Sequence, residues 1–265
     1  MSTETSKASG MSAMAALISI VISLVIGWAI WQFVLGASGN FDLEGHPKNG
    51  SLLGMMYKGG IIVPILISIL ITIITFSIER FMTIQRASGA GNSAEFIRKI
   101  KSMLAANQLN EAVAECDKQQ GSLASVIRAG VEKLHNVQND GSMDKETKVA
   151  AVQKEIEEAT SLELPMLSKN MVIISTCATI ATLWGLIGTV FGMIRSFAAL
   201  SQAGAPDTTA LATGISEALI NTALGIISSV IGIIMYNIFT SKIDGLTYSM
   251  DEAGFSIVQS VSAGK

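Results

Sequence analysis

The chain has 265 residues, 49% of them hydrophobic and only 15% charged, with mean hydropathy +0.50. Soluble domains carry about 25% charged residues, so this composition excludes an ordinary soluble globule and points to a multi-pass membrane protein. A net charge of -3 with dispersed cations argues against a nucleic-acid partner, and two histidines and two cysteines without metal-ligand spacing give no basis for a metal, a cofactor or a disulfide.

Residues 1–12 are small and polar and are expected to be disordered. Residues 14–35 follow without a charge and read as a transmembrane helix. A signal peptide would have a shorter apolar core and a clearer basic flank. Trp28 and Trp31 near the end of this span fit an interfacial anchor. Residues 36–60 form a polar, glycine-rich connector, and 61–78 a second span with Pro64 in its first turns, where a missing N–H does least harm.

Residues 79–170 are the large polar region. Twelve of the 18 Lys and Arg lie between Arg80 and Lys169. The connectors 36–60 and 198–213 hold Lys48 and Lys58 in the first and no cation in the second. The positive-inside rule therefore places 79–170 in the cytoplasm, and four spans then place both termini there. Phe96, Ile97, Ile100, Met103 and Leu104 recur at helical spacing, as do Leu123, Val126, Ile127, Val131 and Leu134. Asn92 and Glu95 resemble a capping box, and 140–142 should break the chain. Pro165 is expected to bend a charged helix just before the third span. Nothing alternates like a strand, so the fold class is an all-α integral membrane protein with a helical cytoplasmic region.

The third span, 171–197, and the fourth, 214–240, are joined by the turn 198–213; a tail, 241–265, ends the chain. In the third span Ala178, Thr182, Gly185, Thr189, Gly192 and Ser196 recur at steps of four and three, which is one helix face of small or hydroxyl residues. In the fourth, Gly214, Ala218, Thr222, Gly225, Ser229 and Gly232 make a second such face, bordered by Glu217, Asn221 and Ser228. Lipid tails are as apolar as leucine, so small faces bring membrane helices together by close backbone approach. Helix packing accounts for Gly185, Gly188, Gly192, Gly214 and Gly225. It leaves Glu217 unexplained, because a carboxylate in the apolar zone costs a few kcal/mol at least. Glu217 either faces a polar lining or sits at headgroup depth, and spacing alone leaves both open.

The stretch LWGLIGTVFGMIRSF at 183–197 resembles the "LLGLLGTVxGMIxxF" signature of the MotA/TolQ/ExbB proton-channel family. GISEALINTALG at 214–225, followed by Tyr236 and Asn237, is similar to the family's "GIxEALxxTAxGLxxAIPAxxxYN", and FSIER at 76–80 resembles its "ER" junction. The likeness covers about 61–239 and is closer to ExbB and TolQ than to MotA. The sequence departs from the family in three places. Residues 14–35 are an additional span, no proline follows Gly225, and Arg195 is an unusual cation at the outer end of the third span.

The resemblance implies a non-enzymatic subunit of an inner-membrane motor driven by the proton gradient. It implies a homopentameric ring whose third and fourth spans surround a dimer of a single-span ExbD/TolR-like partner carrying the titrating aspartate. A TonB-like protein and TonB-dependent outer-membrane transport are the implied output. By motif position Thr189 and Thr222 match pore hydroxyls and Glu217 a pore-facing glutamate that tunes the pore, with Thr182 and Asn221 beside them. The competing expectation is a non-conducting membrane scaffold assembled through its small-residue faces.

Overall fold

A computed structural model describes residues 13–43, 46–48, 51–138, 143–201 and 208–262. The expected disorder of 1–12, the break at 140–142, residues 202–207 of the turn 198–213 and the last residues of the tail lie outside the described residues, while 198–200 and 208–213 of that turn are helical. The all-α expectation holds: among the described residues the sole β feature is an isolated bridge between Phe41 and Pro47. Nine α-helices are described: α1 (Ala13–Ala29), α2 (Leu52–Lys58), α3 (Ile62–Ala87), α4 (Ser93–Ala105), α5 (Leu109–Gln119), α6 (Gly121–Gln138), α7 (Lys145–Ser168), α8 (Met171–Leu200) and α9 (Thr208–Ser262). Among the described residues four segments are long and apolar enough to cross a membrane: Met14–Leu35, Ile62–Ala87, Lys145–Leu200 and Thr208–Ser262. The chain divides into two compact units, Met11–Ile78 with Asn170–Asn237, and Glu79–Lys169 with Ile238–Lys265.

The first unit is apolar. Its α1 continues into a π-helix, Ile30–Leu35, closed by the Gly36 N–H donating to Trp31 O. α1 lies against α3 at Gly27, where a Cβ would come within 2.7 Å of Pro64 O, so only glycine permits that approach. Trp31 stacks on Tyr57 with centroids 4.7 Å apart, and its Nε1 donates to Tyr57 O at 3.2 Å. This binds the additional span to the residues just before α3. Trp28 stays half-exposed, edge-on to Phe33. Along α3, Val63, Leu66, Ile73 and Phe76 are buried.

The second unit carries a core of larger side chains. Phe96, Ile97, Ile100 and Leu104 of α4, Leu123, Val126, Ile127, Val131 and Leu134 of α6, and Phe239, Met250 and Ile257 of α9 are buried. The stripes read from the sequence are the α4 and α6 faces, except that Met103 is only half-buried. Ile156 of α7 fits against Gly130 and Gly254, where an added Cβ would lie 2.7 Å and 2.9 Å from its carbons. Arg80 is fully buried. Its Nε donates to Glu79 Oε2 at 2.6 Å, and its Nη1 donates to the Met166 and Leu167 carbonyls at 3.3 Å. The guanidinium therefore takes up carbonyls that the end of α7 leaves without helical partners.

One local expectation is corrected, and one helix boundary is defined by the structure. Asn92 caps α4 by accepting from the Ala94 N–H at 2.9 Å, two residues on, instead of forming the reciprocal box with Glu95. Pro165 lies inside α7, which runs on to Ser168. The break comes at Asn170, whose φ of 63° places it in the left-handed region that asparagine tolerates better than most residues. Pro165 withholds one N–H from the helix, and the left-handed asparagine sets the boundary.

Candidate functional site: two flanks of the α8–α9 hairpin

α8 and α9 pack through their small residues. Ala178, Ala181, Gly185, Gly188, Gly192 and Ser196 are the buried face of the apolar part of α8. A Cβ on Gly192 would stand 2.7 Å from Gly214 O, and one on Gly225 would stand 2.9 Å from Gly185 Cα. The two backbones thus touch at positions where any larger residue would push them apart. Ser196 Oγ donates to Gly192 O at 3.1 Å and lies 3.2 Å from Leu211 O, closing the outer end of the contact.

The face read from spacing is displaced by a fraction of a turn. Ala181 and Gly188 belong to the buried stripe, whereas Thr182 is exposed and Thr189 half-exposed. At 3.6 residues per turn, Thr182 and Thr189 lie on one flank of that stripe and Gly188 and Arg195 on the other. α9 divides the same way. Thr222 lies on one side of the Ala218–Gly225 contact, and Glu217, Asn221 and Ser228 on the other. The helices run antiparallel, so the three threonines share one flank and the remaining polar groups share the opposite one.

The second flank is covered. Asn221, 2% exposed, donates from Nδ2 to Gly59 O at 3.0 Å and packs on Gly188. Glu217 Oε2 accepts from Arg195 Nη1 at 3.0 Å. Gly60, at φ +76°, sits so that a Cβ would be 3.4 Å from that same Nη1. Farther along, Ile73 of α3 reaches to within 3.2 Å of where a Gly232 Cβ would stand, and Ser228 is buried with its Oγ donating to Leu224 O at 2.8 Å.

The first flank differs. Thr189 Oγ1 donates to Leu186 O at 2.6 Å, bonding back into its own helix. Thr189 also lines an open groove of about 530 Å³ with Val190, Met193, Ile194 and Phe197. Thr222 Oγ1 is buried and makes no hydrogen bond. A hydroxyl withdrawn from solvent without a partner costs roughly 1–3 kcal/mol, so this oxygen on the threonine flank is left without the bonds it could make, as is Asn221 Oδ1 on the other flank. Sequence reasoning assigned no role to Arg195. It also did not separate the flanks, although the wheel positions of Glu217 and Asn221, four residues apart, carry that signal.

These features define a multi-pass helical membrane protein built around a close-packed hairpin with Thr182, Thr189 and Thr222 on one flank. Residues 118–252 match the MotA/TolQ/ExbB proton channel family, just over half of the chain. The chain belongs to that family. It is 27% identical over 155 residues to the biopolymer transport protein ExbB of Pseudomonas putida, covering 58% of this chain and 46% of that one. It is 23% identical over 179 residues to the Tol-Pal system protein TolQ of Pseudomonas aeruginosa, covering 66% and 78%. With the biopolymer transport protein ExbB-like 3 of Synechocystis it shares 35% over 88 residues, covering 32% and 42%. The chain thus spans less than half the length of two of these three relatives.

Proposed function

We propose that the chain is a ring-forming subunit of an ExbB/TolQ-like proton-driven motor of the inner membrane, with both termini cytoplasmic. Its ion path runs along the flank bearing Thr182, Thr189 and Thr222. In this reading five copies turn that flank toward a dimer of a single-span ExbD/TolR-like partner, whose acid carries the proton. The hydroxyls pass hydrogen bonds along a water file, and the small residues let the partner helix lie close. The Thr222 hydroxyl without a partner, on the same flank as Thr189, carries the proposal, because close packing of α8 and α9 does not require it. The excess of cations between Arg80 and Lys169 supports the orientation. Work on the cell envelope, through a TonB-like protein in outer-membrane transport, is the output we infer from the ExbB relatives.

The test is Thr189→Val combined with Thr222→Val, which keeps shape and removes both hydroxyls. Reconstituted with its partner, this variant should assemble normally and lose partner-dependent proton flux. The scaffold reading predicts the opposite: flux is absent in wild type, and envelope function survives the double substitution.

A further inference from the structure

The polar flank of the hairpin joins three segments of the chain. Arg195 and Glu217 are 22 residues apart in sequence and come from opposite arms of the hairpin, yet they meet at 3.0 Å. One turn along α9 from Glu217, Asn221 holds the Gly59 carbonyl at 3.0 Å, and the Gly59–Gly60 turn lies directly against Arg195. Three chain segments, the outer ends of α8 and α9 and the entry to α3, are therefore tied by two polar contacts within one helical turn. The Glu217 side chain is 13% exposed and that of Arg195 60%. The carboxylate is thus largely enclosed and already neutralised by a guanidinium, on the side of the hairpin away from the threonines.

We infer that Arg195, Glu217 and Asn221 form a clasp at the outer end of the hairpin, in which Glu217 is a positioning residue and carries no proton. The inference rests on the proposed ion path along the threonine flank and assigns the opposite flank to holding that path in shape. A carboxylate that relays protons must be reachable by water and free to change charge. Glu217 instead turns its Oε2 to Arg195 Nη1 at 3.0 Å, with its side chain 13% exposed, on the flank away from the threonines. The clasp also accounts for Arg195, the cation by which this sequence departs from its family's pattern. It accounts for Gly60 as well, whose left-handed φ lets the turn pass beneath the guanidinium.

The experiment uses the full chain with its single-span partner, read by thermal melting and by proton flux in proteoliposomes. Glu217→Gln and Arg195→Gln alone should each lower the melting temperature by several degrees and flux by about tenfold, as expected when an enclosed carboxylate and the arginine it accepts from are separated. Arg195→Met with Glu217→Met removes every titratable atom of the pair. Apolar replacement of an ion pair is often neutral, so this variant should regain wild-type melting and keep flux within about twofold of it. Loss of flux in a Met–Met variant that assembles and melts like wild type overturns the inference, as does a melting deficit equal to the sum of the single ones. Should the Met–Met pair not assemble, Arg195→Glu with Glu217→Arg decides: restored melting and flux uphold the clasp, and absence of restoration overturns it. If wild type itself shows no partner-dependent flux, the ion-path reading fails, and additivity in the melting cycle still decides the clasp.

Discussion

The two units of this chain are held together by opposite kinds of residue. In Glu79–Lys169 with Ile238–Lys265, helices meet through Phe96, Leu123, Ile127, Ile156 and Met250, which are large and buried. In Met11–Ile78 with Asn170–Asn237, the close contacts are Gly27 on Pro64, Gly185 on Gly225 and Gly192 on Gly214, while Leu183, Leu186, Ile226 and Ile233 point outward. The solvent explains the difference. Removing a leucine from water stabilises by about 1.5–3 kcal/mol. Removing it from lipid gains almost nothing, so membrane helices associate where side chains are smallest and backbone atoms can touch. The outward leucines of one unit and the buried ones of the other follow the same rule in two solvents.

The sharpest way to break this comparison is to add bulk at a backbone contact. Gly225→Leu would drive a side chain into the Gly185 Cα and the Ala181 carbonyl, which stands 2.7 Å from a Cβ there. Neither can move without separating α8 from α9. We expect loss of the assembled protein, seen as aggregation or a missing oligomer peak on size-exclusion chromatography in detergent. A normally assembled Gly225→Leu protein would show that the hairpin is held by something other than close approach.

The complementary change in the other unit removes bulk. Ile156→Ala empties the space between Gly130 and Gly254, both too small to fill it. The cost should fall in the range of about 2–5 kcal/mol found for large-to-small core changes, measured as a shift in the thermal or denaturant midpoint. A cost below about 1 kcal/mol would mean that α6 and α9 close over the gap, and that this unit packs less like a water-driven core than its residues suggest.

The legibility of the sequence follows the same division. Where water drives packing, the apolar stripe names its own buried face, and Phe96, Ile100, Leu123, Ile127 and Val131 are buried as their spacing indicates. Where it does not, hydrophobicity no longer marks the inside. Thr182 and Thr189 share a periodicity with Gly185 and Gly192, yet spacing alone does not say which side of the stripe α3 covers. Only the fold shows that Asn221 reaches Gly59, 162 residues away in the chain, and that Arg195 meets Glu217. The ends of helices were partly hidden for a local reason. Pro165 is the stronger breaker in the sequence, but Asn170 takes the left-handed conformation and sets the boundary.

The smallest effect comes from Cys116, which lies in the larger-residue core at 2% exposure. Burial, the first cause, together with the neighbouring Asp117 carboxylate, pushes its thiol up from 9.0 to about 12. The folded state therefore keeps the proton over a pH range in which the unfolded chain releases it. A group with a raised folded pKa contributes stability that is complete below the unfolded pKa and is lost as pH climbs toward the folded one. From pH 9 toward 12, Cys116 should thus subtract up to about 1.4 kcal/mol of stability per pH unit. Lysines and tyrosines also titrate in that range, so the measurement is the difference in slope between wild type and Cys116→Ala in denaturant melts. The alanine variant should show the shallower decline. At pH 8 the wild-type thiol should resist alkylation until the unit unfolds, because the nucleophile is the thiolate and burial keeps this sulfur protonated. Equal slopes together with rapid alkylation of the native protein would mean that water reaches this core, and the contrast between the two units would then rest on the glycine contacts alone.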